Sequence, residues 1–137
     1  GLLGEYFNNR WTFGDPVVTR IDAKVDFSWS DTETITPTGQ DYISVRWTGF
    51  AQPAFSERYV FTVEANDGAR LWVGDQLMFD NFDEVRGLSV CVILVAGRLY
   101  AVTLEFRENY GAAEAHLLWS SGSQPSEVIP SNRLFYA

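Results

Sequence analysis

The chain has 137 residues, of which 46% are hydrophobic and 15% aromatic, so it can bury one full core and lies outside the composition range of disordered proteins. Its 18 acidic and 10 basic residues give a net charge of −8, which repels phosphate backbones and anionic membrane surfaces and argues against nucleic acid as a partner. No apolar run reaches the roughly 18 residues that cross a bilayer, so no membrane insertion is expected. We predict one domain over residues 1–137, and Gly1 as first residue suggests that it comes from a larger multidomain chain.

Short strands are predicted along the whole chain, because apolar and polar residues alternate over short segments that turn residues separate. After the first strand, a long polar connection contains Gly14, Asp15 and Pro16, and Gly74-Asp75 predicts a two-residue hairpin loop. No helical periodicity is present. In chain order, the strands are predicted at residues 2–7, 25–29, 42–50, 58–65, 71–73, 77–79, 89–95, 99–107, 115–119, 128–129 and 134–136. This spacing predicts an all-β antiparallel sandwich or barrel.

The most informative segment is the run from Val63 to Val73, in which Asn66 and Asp67 stand side by side at a bend before Gly68. Side-chain oxygens held at a rigid corner suit a hard cation such as Ca²⁺ better than they suit catalysis. The alternative is a hairpin corner at which both side chains only cap the backbone through Asx turns.

Two chemically versatile residues are predicted to have no functional role. Cys91 lies in a continuous apolar run and is expected to be a buried structural thiol. His116 alternates with the inward-facing Ala115 and Leu117, so we expect it at the surface, where no nucleophile motif accompanies it. Ordinary zinc sites need more His and Cys than the chain has, and no enzymatic activity is predicted.

Eight short stretches, in the same order along the chain, resemble the protective-antigen-type domain, a β-sandwich family named PA-fourteen. These stretches are GLLGEYF (1–7), VRWTGF (45–50), YVFTV (59–63), NDGARLWV (66–73), AGRLY (96–100), LEFREN (104–109), LWSS (118–121) and VIP (128–130). The resemblance implies an antiparallel β-sandwich and a non-catalytic module, of the kind often appended to secreted glycosidases, adhesins and toxins. It places the protein outside the cell or on its surface.

In members of this family that bind sugars, a Ca²⁺ ion lies at the tip of the sandwich. Two adjacent acidic residues joined by a cis peptide hold the ion together with oxygens of a second loop, and the sugar docks with vicinal hydroxyls on the ion. By position, the paired acids correspond to Asn66 and Asp67, and the second loop to residues 108–114. The resemblance therefore implies Asn66, Asp67 and Asn109 as metal ligands.

For the sugar, the same resemblance and the loop composition imply a contact set of six residues. These are Asp67, Phe82, Glu108, Tyr110, Gly111 and Glu114. Tyr110 and Phe82 offer rings for stacking on a pyranose, and Gly111 permits close approach of the backbone. The acidic residues Asp80, Asp83 and Glu84 next to Phe82 offer a second cation site, with a solvated loop as the alternative. Trp11 is the one tryptophan outside the strand patterns and is predicted to lie in a loop.

The chain departs from the family at Asn66, where the first acid of the pair is replaced by an amide. The site loses one formal charge, which weakens Ca²⁺ affinity, although Ca²⁺ also accepts neutral carbonyl oxygens. We therefore predict a calcium-dependent carbohydrate-binding module of a larger extracellular enzyme or adhesin. The alternative is a structural or protein-interaction module that spaces a larger protein without binding sugar.

Overall fold

The computed structural model describes residues 1–30, 32–37, 39, 41–81 and 87–137. Within these residues the regular secondary structure is all β-strand except for a single 3-10 turn at Ser131–Arg133. The strands are β1 (Leu2–Phe7), β2 (Val18–Asp22), β3 (Asp26–Trp29), β4 (Ile43–Ala51), β5 (Glu57–Asn66), β6 (Gly68–Val73), β7 (Gln76–Asn81), β8 (Leu88–Leu94), β9 (Tyr100–Glu108), β10 (Ala113–Ser121), β11 (Glu127–Val128) and β12 (Leu134–Phe135).

These strands form two antiparallel sheets packed as a sandwich. The larger sheet has the order β2-β1-β4-β9-β6-β7, with β12 added at the end of β4. The smaller sheet has the order β11-β10-β5-β8, with β3 paired to β10. The predicted all-β antiparallel sandwich is confirmed, and so is the hairpin loop at Gly74-Asp75 between β6 and β7.

The core lies between the sheets and follows the two-residue period of the strands. On β5 the inward residues Tyr59, Phe61 and Val63 are fully buried, and the residues between them face outward. Trp47 of β4 and Trp119 of β10 are among the largest buried side chains from the two sheets. The predicted inward faces of these strands are therefore confirmed.

The predicted polar connection after β1 contains a strand that the pattern did not reveal. β2 exposes its middle residues Thr19, Arg20 and Ile21 and buries the carboxylate of Asp22. Asp22 accepts hydrogen bonds from Trp47 Nε1 at 2.8 Å, from Arg20 Nε at 2.7 Å and from the Tyr6 hydroxyl at 2.5 Å. A polar residue in an inward position breaks the apolar alternation that predicts a strand.

The prediction that Cys91 is buried is wrong. Cys91 lies on β8, which pairs with β5 alone among the described strands, and its thiol is exposed with the neighbouring Ser89 and Ile93. Each strand of this sandwich packs only one of its faces against the core. Val90 and Val92 pack against the core from that face, and Cys91 and Ile93 lie on the opposite face in solvent.

A row of alternating charges crosses the outer face of the larger sheet. Glu105 of β9 lies opposite Arg46 of β4 on one side and opposite Arg70 of β6 on the other. Its two carboxylate oxygens bind Arg46 Nε at 2.9 Å and Arg70 Nη2 at 3.0 Å. The register continues the row to Glu5 of β1, opposite Arg46, and to Asp80 of β7, opposite Arg70.

Candidate functional site

The corner that contains Asn66 and Asp67 joins the two sheets of the sandwich. Asn66 is the last residue of β5 in the smaller sheet, and Gly68 is the first residue of β6 in the larger sheet. Asp67 alone lies between them, its peptide bond with Asn66 is cis, and its backbone N–H donates to the carbonyl oxygen of Arg107 at 3.0 Å. The corner is therefore a crossing between sheets and not a hairpin within one sheet.

The second predicted segment, the loop between β9 and β10, lies directly against this corner. The backbone N–H of Asn109 donates to Oδ2 of Asp67 at 2.7 Å. The side-chain amide nitrogen of Asn66 donates to the carbonyl oxygen of Ala112 at 3.3 Å, which leaves the amide oxygen of Asn66 directed away from that contact. We refer to Asn66, Asp67 and residues 108–112 as the tip.

Glu108, at the end of β9, is a buried carboxyl group without compensation. Its side chain is 0% exposed, and neither of its carboxylate oxygens has a hydrogen-bond partner among the described residues. Burial, followed by the negative charges of Asp67 and Asp41, raises the pKa of Glu108 to about 9. Buried carboxyl groups in proteins are normally paired, hydrogen-bonded or bound to a metal ion, so Glu108 marks the tip as a position where a bound cation would stabilise the ionised carboxylate.

A third segment contributes to the tip that sequence reasoning did not find. Asp41 Oδ1 accepts a hydrogen bond from the backbone N–H of Gly111 at 3.2 Å, and the N–H of Tyr42 donates to the carbonyl oxygen of Asn109 at 2.9 Å. Arg10 Nη1 donates to Oδ1 of Asn109 at 3.2 Å. These residues are far from Asn109 in sequence, and nothing in their local pattern indicates that the fold brings them to this loop.

The remaining predicted contact residues lie in different environments. The ring of Tyr110 is 73% exposed beside Gly111, whose φ of +86° is open to glycine and strained for other residues. Glu114 lies opposite Asn66 on the outer face of the smaller sheet, where its Oε2 approaches His116 Nε2 at 3.7 Å. His116 also contacts Asp26 Oδ1 at 2.9 Å, so its ring belongs to the sheet surface. Phe82, with Asp83 and Glu84, lies outside the described residues.

The oxygen donors at the tip fit a hard cation better than a transition metal. Among residues 1–30, 32–37, 39, 41–81 and 87–137, no group of three or more His, Cys, Asp or Glu is arranged to hold a metal ion. A cation at the tip would therefore need neutral oxygens in addition to the carboxylates of Asp67 and Glu108. Ca²⁺ tolerates such mixed sets of carboxylate, amide and backbone oxygens. The observation that makes the tip suitable for such a cation is the carboxyl of Glu108, whose oxygens have no hydrogen-bond partner among the described residues.

The architecture defines a class of small β-sandwich domain in which loops from both sheets meet at one end. The chain belongs to the PA14 domain family, whose sequence profile matches residues 1–133. Among the described residues, no helix is long and apolar enough to span a membrane.

The relatives of the chain include proteins named as anti-sigma factors. The anti-sigma-I factor RsgI3 of Acetivibrio thermocellus is 40% identical over 137 residues, which is 98% of this chain and 21% of that protein. A solved anti-sigma factor domain-containing protein is also 40% identical, with a TM-score of 0.93 over 100% of this chain and 48% of the other. The chain thus spans about a fifth of the first relative and about half of the second.

A more distant structure shares only the fold. The PA14 sugar-binding domain from an RTX adhesin superposes with a TM-score of 0.77 at 16% identity, over 100% of this chain and 98% of that domain.

Proposed function

We propose that this domain is a non-catalytic carbohydrate-binding module that holds Ca²⁺ at the tip. The observation that supports this most directly is the burial of Glu108. Neither of its carboxyl oxygens has a hydrogen-bond partner among the described residues. The negative charges of Asp67 and Asp41 add to burial in raising its pKa. A divalent cation would favour the ionised form of Glu108 and would offset the negative charge of the neighbouring Asp67 and Asp41. It would also explain why an uncompensated carboxyl is placed at this end of the sandwich.

The ligands that we propose for Ca²⁺ are Asn66, Asp67 and Asn109, with Glu108 as a further carboxylate. Asn66 would contribute its amide oxygen, since its nitrogen is engaged with Ala112. The Oδ1 atom of Asn109 already accepts a hydrogen bond from Arg10 and would have to use its second lone pair. When bound, Ca²⁺ would offer open coordination positions to two neighbouring hydroxyl groups of a sugar.

The residues around the tip would orient that sugar. The exposed ring of Tyr110 can stack on the apolar face of a pyranose, and Gly111 lets the backbone approach it closely. Asp67 and Glu114 would accept hydrogen bonds from hydroxyl groups, and Phe82 is retained as a proposed contact. Because Glu108 is buried, its position favours a role beneath the ion over direct contact with the sugar. The sugar-binding PA14 domain of the RTX adhesin, which shares the fold, supports the proposal by likeness.

The parent protein that we propose is of the anti-sigma factor type, because the two relatives at 40% identity carry that name. This replaces the larger enzyme or adhesin predicted from the sequence as the favoured parent. The module itself would lie outside the cell or on its surface, where glycans are available.

Glycan-array screening of the purified domain, with Ca²⁺ in one arm and EDTA in the other, tests the function. We expect binding to at least one glycan in Ca²⁺, loss of that signal in EDTA, and loss in Asp67→Ala. A matched control is Asp75→Ala, which removes a carboxylate from the β6–β7 hairpin loop away from the tip and should leave binding unchanged. Absence of any calcium-sensitive glycan signal would contradict the proposal and favour the structural or interaction module.

A further inference from the structure

The loop between β1 and β2 exposes two aromatic rings to solvent, and its backbone is held by several hydrogen bonds. Trp11 is 57% exposed and Phe13 is 77% exposed. Asn9 organises the loop, because its Oδ1 accepts hydrogen bonds from the N–H of Trp11 at 2.9 Å and of Phe13 at 3.1 Å. Its Nδ2 also donates to the carbonyl oxygen of Phe13 at 2.8 Å. The loop is therefore well ordered, although its largest side chains contribute little to the core.

Further hydrogen bonds anchor this loop to the larger sheet. The N–H of Thr12 donates to Ser44 Oγ at 2.9 Å, and the Ser44 hydroxyl donates to the carbonyl oxygen of Asn9 at 2.6 Å. The Thr12 hydroxyl also contacts Glu105 Oε2 at 3.2 Å. Thr12 has a φ of +49°, which is uncommon for a residue other than glycine and is maintained only where the surroundings determine it.

A second exposed ring adjoins Trp11 through a shared arginine. Tyr42 is 54% exposed and also has a positive φ, of +57°. The guanidinium carbon of Arg10 lies 5.3 Å from the ring centroid of Trp11 and 5.5 Å from that of Tyr42. The buried Arg107 contacts the Trp11 ring as well, at 4.8 Å. We refer to Arg10, Trp11 and Tyr42 as the aromatic shelf.

The shelf is bonded directly to the tip. Arg10 donates to the side-chain oxygen of Asn109, and the N–H of Tyr42 donates to the backbone carbonyl of the same residue. Asn109 is one of the ligands proposed for Ca²⁺. A sugar bound at the ion would therefore have the shelf beside it, and the next sugar of the same chain would have the rings within reach.

Rigid exposed rings of this kind are suited to a ligand that has both an apolar and a polar surface. The arginine contacts cover part of the rings, and keeping the remaining aromatic surface in water brings no benefit to folding, since burial of apolar area is what stabilises the core. A loop that is ordered before binding loses less conformational entropy when a ligand arrives. The face of a pyranose ring carries C–H groups that stack on an aromatic ring, and its rim carries hydroxyls that remain hydrated.

We propose that the aromatic shelf is a second sugar subsite, so that the domain binds at least two consecutive residues of an oligosaccharide. The inference rests on the proposed carbohydrate-binding function and extends it from one sugar at the ion to an internal stretch of a glycan chain. The first sugar is held by the ion and the tip, and the next one stacks on Trp11 and Tyr42. Arg10 fixes the two rings relative to each other and to Asn109.

The test compares chain lengths of the same sugars. Calorimetry in Ca²⁺ would use glucose, galactose, mannose and xylose, with the disaccharides and tetrasaccharides built from each. For the sugar that binds, we expect the disaccharide to bind about tenfold more tightly than the monosaccharide, which corresponds to about 1.4 kcal/mol. Trp11→Ala should abolish this gain while the monosaccharide affinity stays unchanged. Trp11→Phe should retain part of it.

The control is Tyr136→Ala, which removes an equally exposed ring of 55% exposure close to the C-terminus and should leave the chain-length gain intact. Melting curves verify that each variant is folded. Equal chain-length gains in native protein and Trp11→Ala would overturn the shelf while leaving monosaccharide binding, and hence the proposed function, in place. Absence of binding to every sugar of the series by the native protein would overturn both.

Discussion

The backbone N–H of Asn109 donates a 2.7 Å hydrogen bond to Oδ2 of Asp67 and so joins two segments that are 42 residues apart. Asp67 is thereby a structural acceptor as well as a proposed ligand. A hydrogen bond to a charged acceptor stabilises a fold by about 1.5 to 3 kcal/mol when it is well formed. Substitutions at Asp67 must therefore be measured both with and without the ion.

The first prediction concerns stabilisation by Ca²⁺. An ion that binds only the folded state raises the free energy of unfolding by about 2.7 kcal/mol at a concentration of 100 Kd. We expect the melting temperature of the native domain to rise with Ca²⁺ and the rise to disappear in Asp67→Ala. Asn66→Asp should increase it, because a second carboxylate adds negative charge at the cation. A native melting temperature that ignores Ca²⁺ while Asn66→Asp responds would mean that this chain has lost its ion.

The second prediction uses Glu108. Because its pKa in the folded protein is raised to about 9 from an ordinary value of 4.5, the folded state binds more protons than the unfolded state between these values. In EDTA, stability should therefore fall as pH rises through this window. Glu108→Gln removes the ionisable group. At pH 8 in EDTA the free energy of unfolding of this variant should therefore exceed that of the native protein by at least about 1 kcal/mol.

Ca²⁺ should reverse that order, since the native protein gains from the ion and Glu108→Gln loses a proposed ligand. Urea titrations of both proteins at pH 6 and pH 8, with Ca²⁺ or EDTA, provide the measurement. A variant that is less stable than the native protein in EDTA at both pH values would show that the carboxyl of Glu108 is already compensated without an ion.

The third prediction concerns the buried network at Asp22. Its carboxylate accepts hydrogen bonds from Tyr6, Arg20 and Trp47, of which Tyr6 and Trp47 are fully buried. Asp22→Ala leaves buried donors without an acceptor, which costs about 3 to 5 kcal/mol when a buried charged partner is removed. Asp26→Ala, in the next strand but exposed, is the matched control and should cost under about 1 kcal/mol. Chemical denaturation of both variants gives the comparison.

The fourth prediction tests the core of the sandwich. Phe61 is fully buried on β5, and its ring centroid lies 6.2 Å from that of Trp119, so Phe61→Ala should lower the free energy of unfolding by about 3 to 5 kcal/mol. The neighbouring Thr62 faces outward, and Thr62→Ala should cost under about 1 kcal/mol. Similar costs for the two substitutions would mean that the faces of β5 are assigned the wrong way round.

The strands that alternate cleanly are the ones that sequence reasoning found. On β4, β5 and most of β9 the inward residues are apolar at every second position, because both sheets bury one face against the other, and the series on β9 ends at the buried Glu108. The sequence pattern did not predict β2, because the buried residue of this strand is Asp22. The hydrogen-bond partners of Asp22 lie on β1, β4 and β2 itself. The prediction for Cys91 was wrong because a continuous apolar run does not show which of its residues face solvent.

The candidate site was foreseen to a similar extent. The pairing of the Asn66-Asp67 corner with the loop after Arg107 came from the family resemblance, and the contact between Asp67 and Asn109 agrees with it. Arg10, Asp41 and Tyr42 were not foreseen, because each reaches the tip across a long stretch of chain through ordinary backbone and side-chain hydrogen bonds. Such contacts depend on the tertiary fold and leave no local pattern.

The charged row across the larger sheet also favours one register of β4 and β6 against β9. Arg46 and Arg70 flank Glu105 from opposite sides, and Arg107 stands two residues farther along β9 on the same face. A shift of β4 or β6 by two residues relative to β9 keeps the apolar face of that strand inward, so the burial of apolar side chains does not by itself exclude the shifted alignment. If β4 or β6 slipped in one direction, its arginine (Arg46 or Arg70) would lie opposite Arg107, and the like charges would repel each other. If the strand slipped in the other direction, the arginine would lie opposite the uncharged Thr103. Only the native alignment places both arginines on an acid, which penalises misaligned sheets that the hydrophobic core would accept.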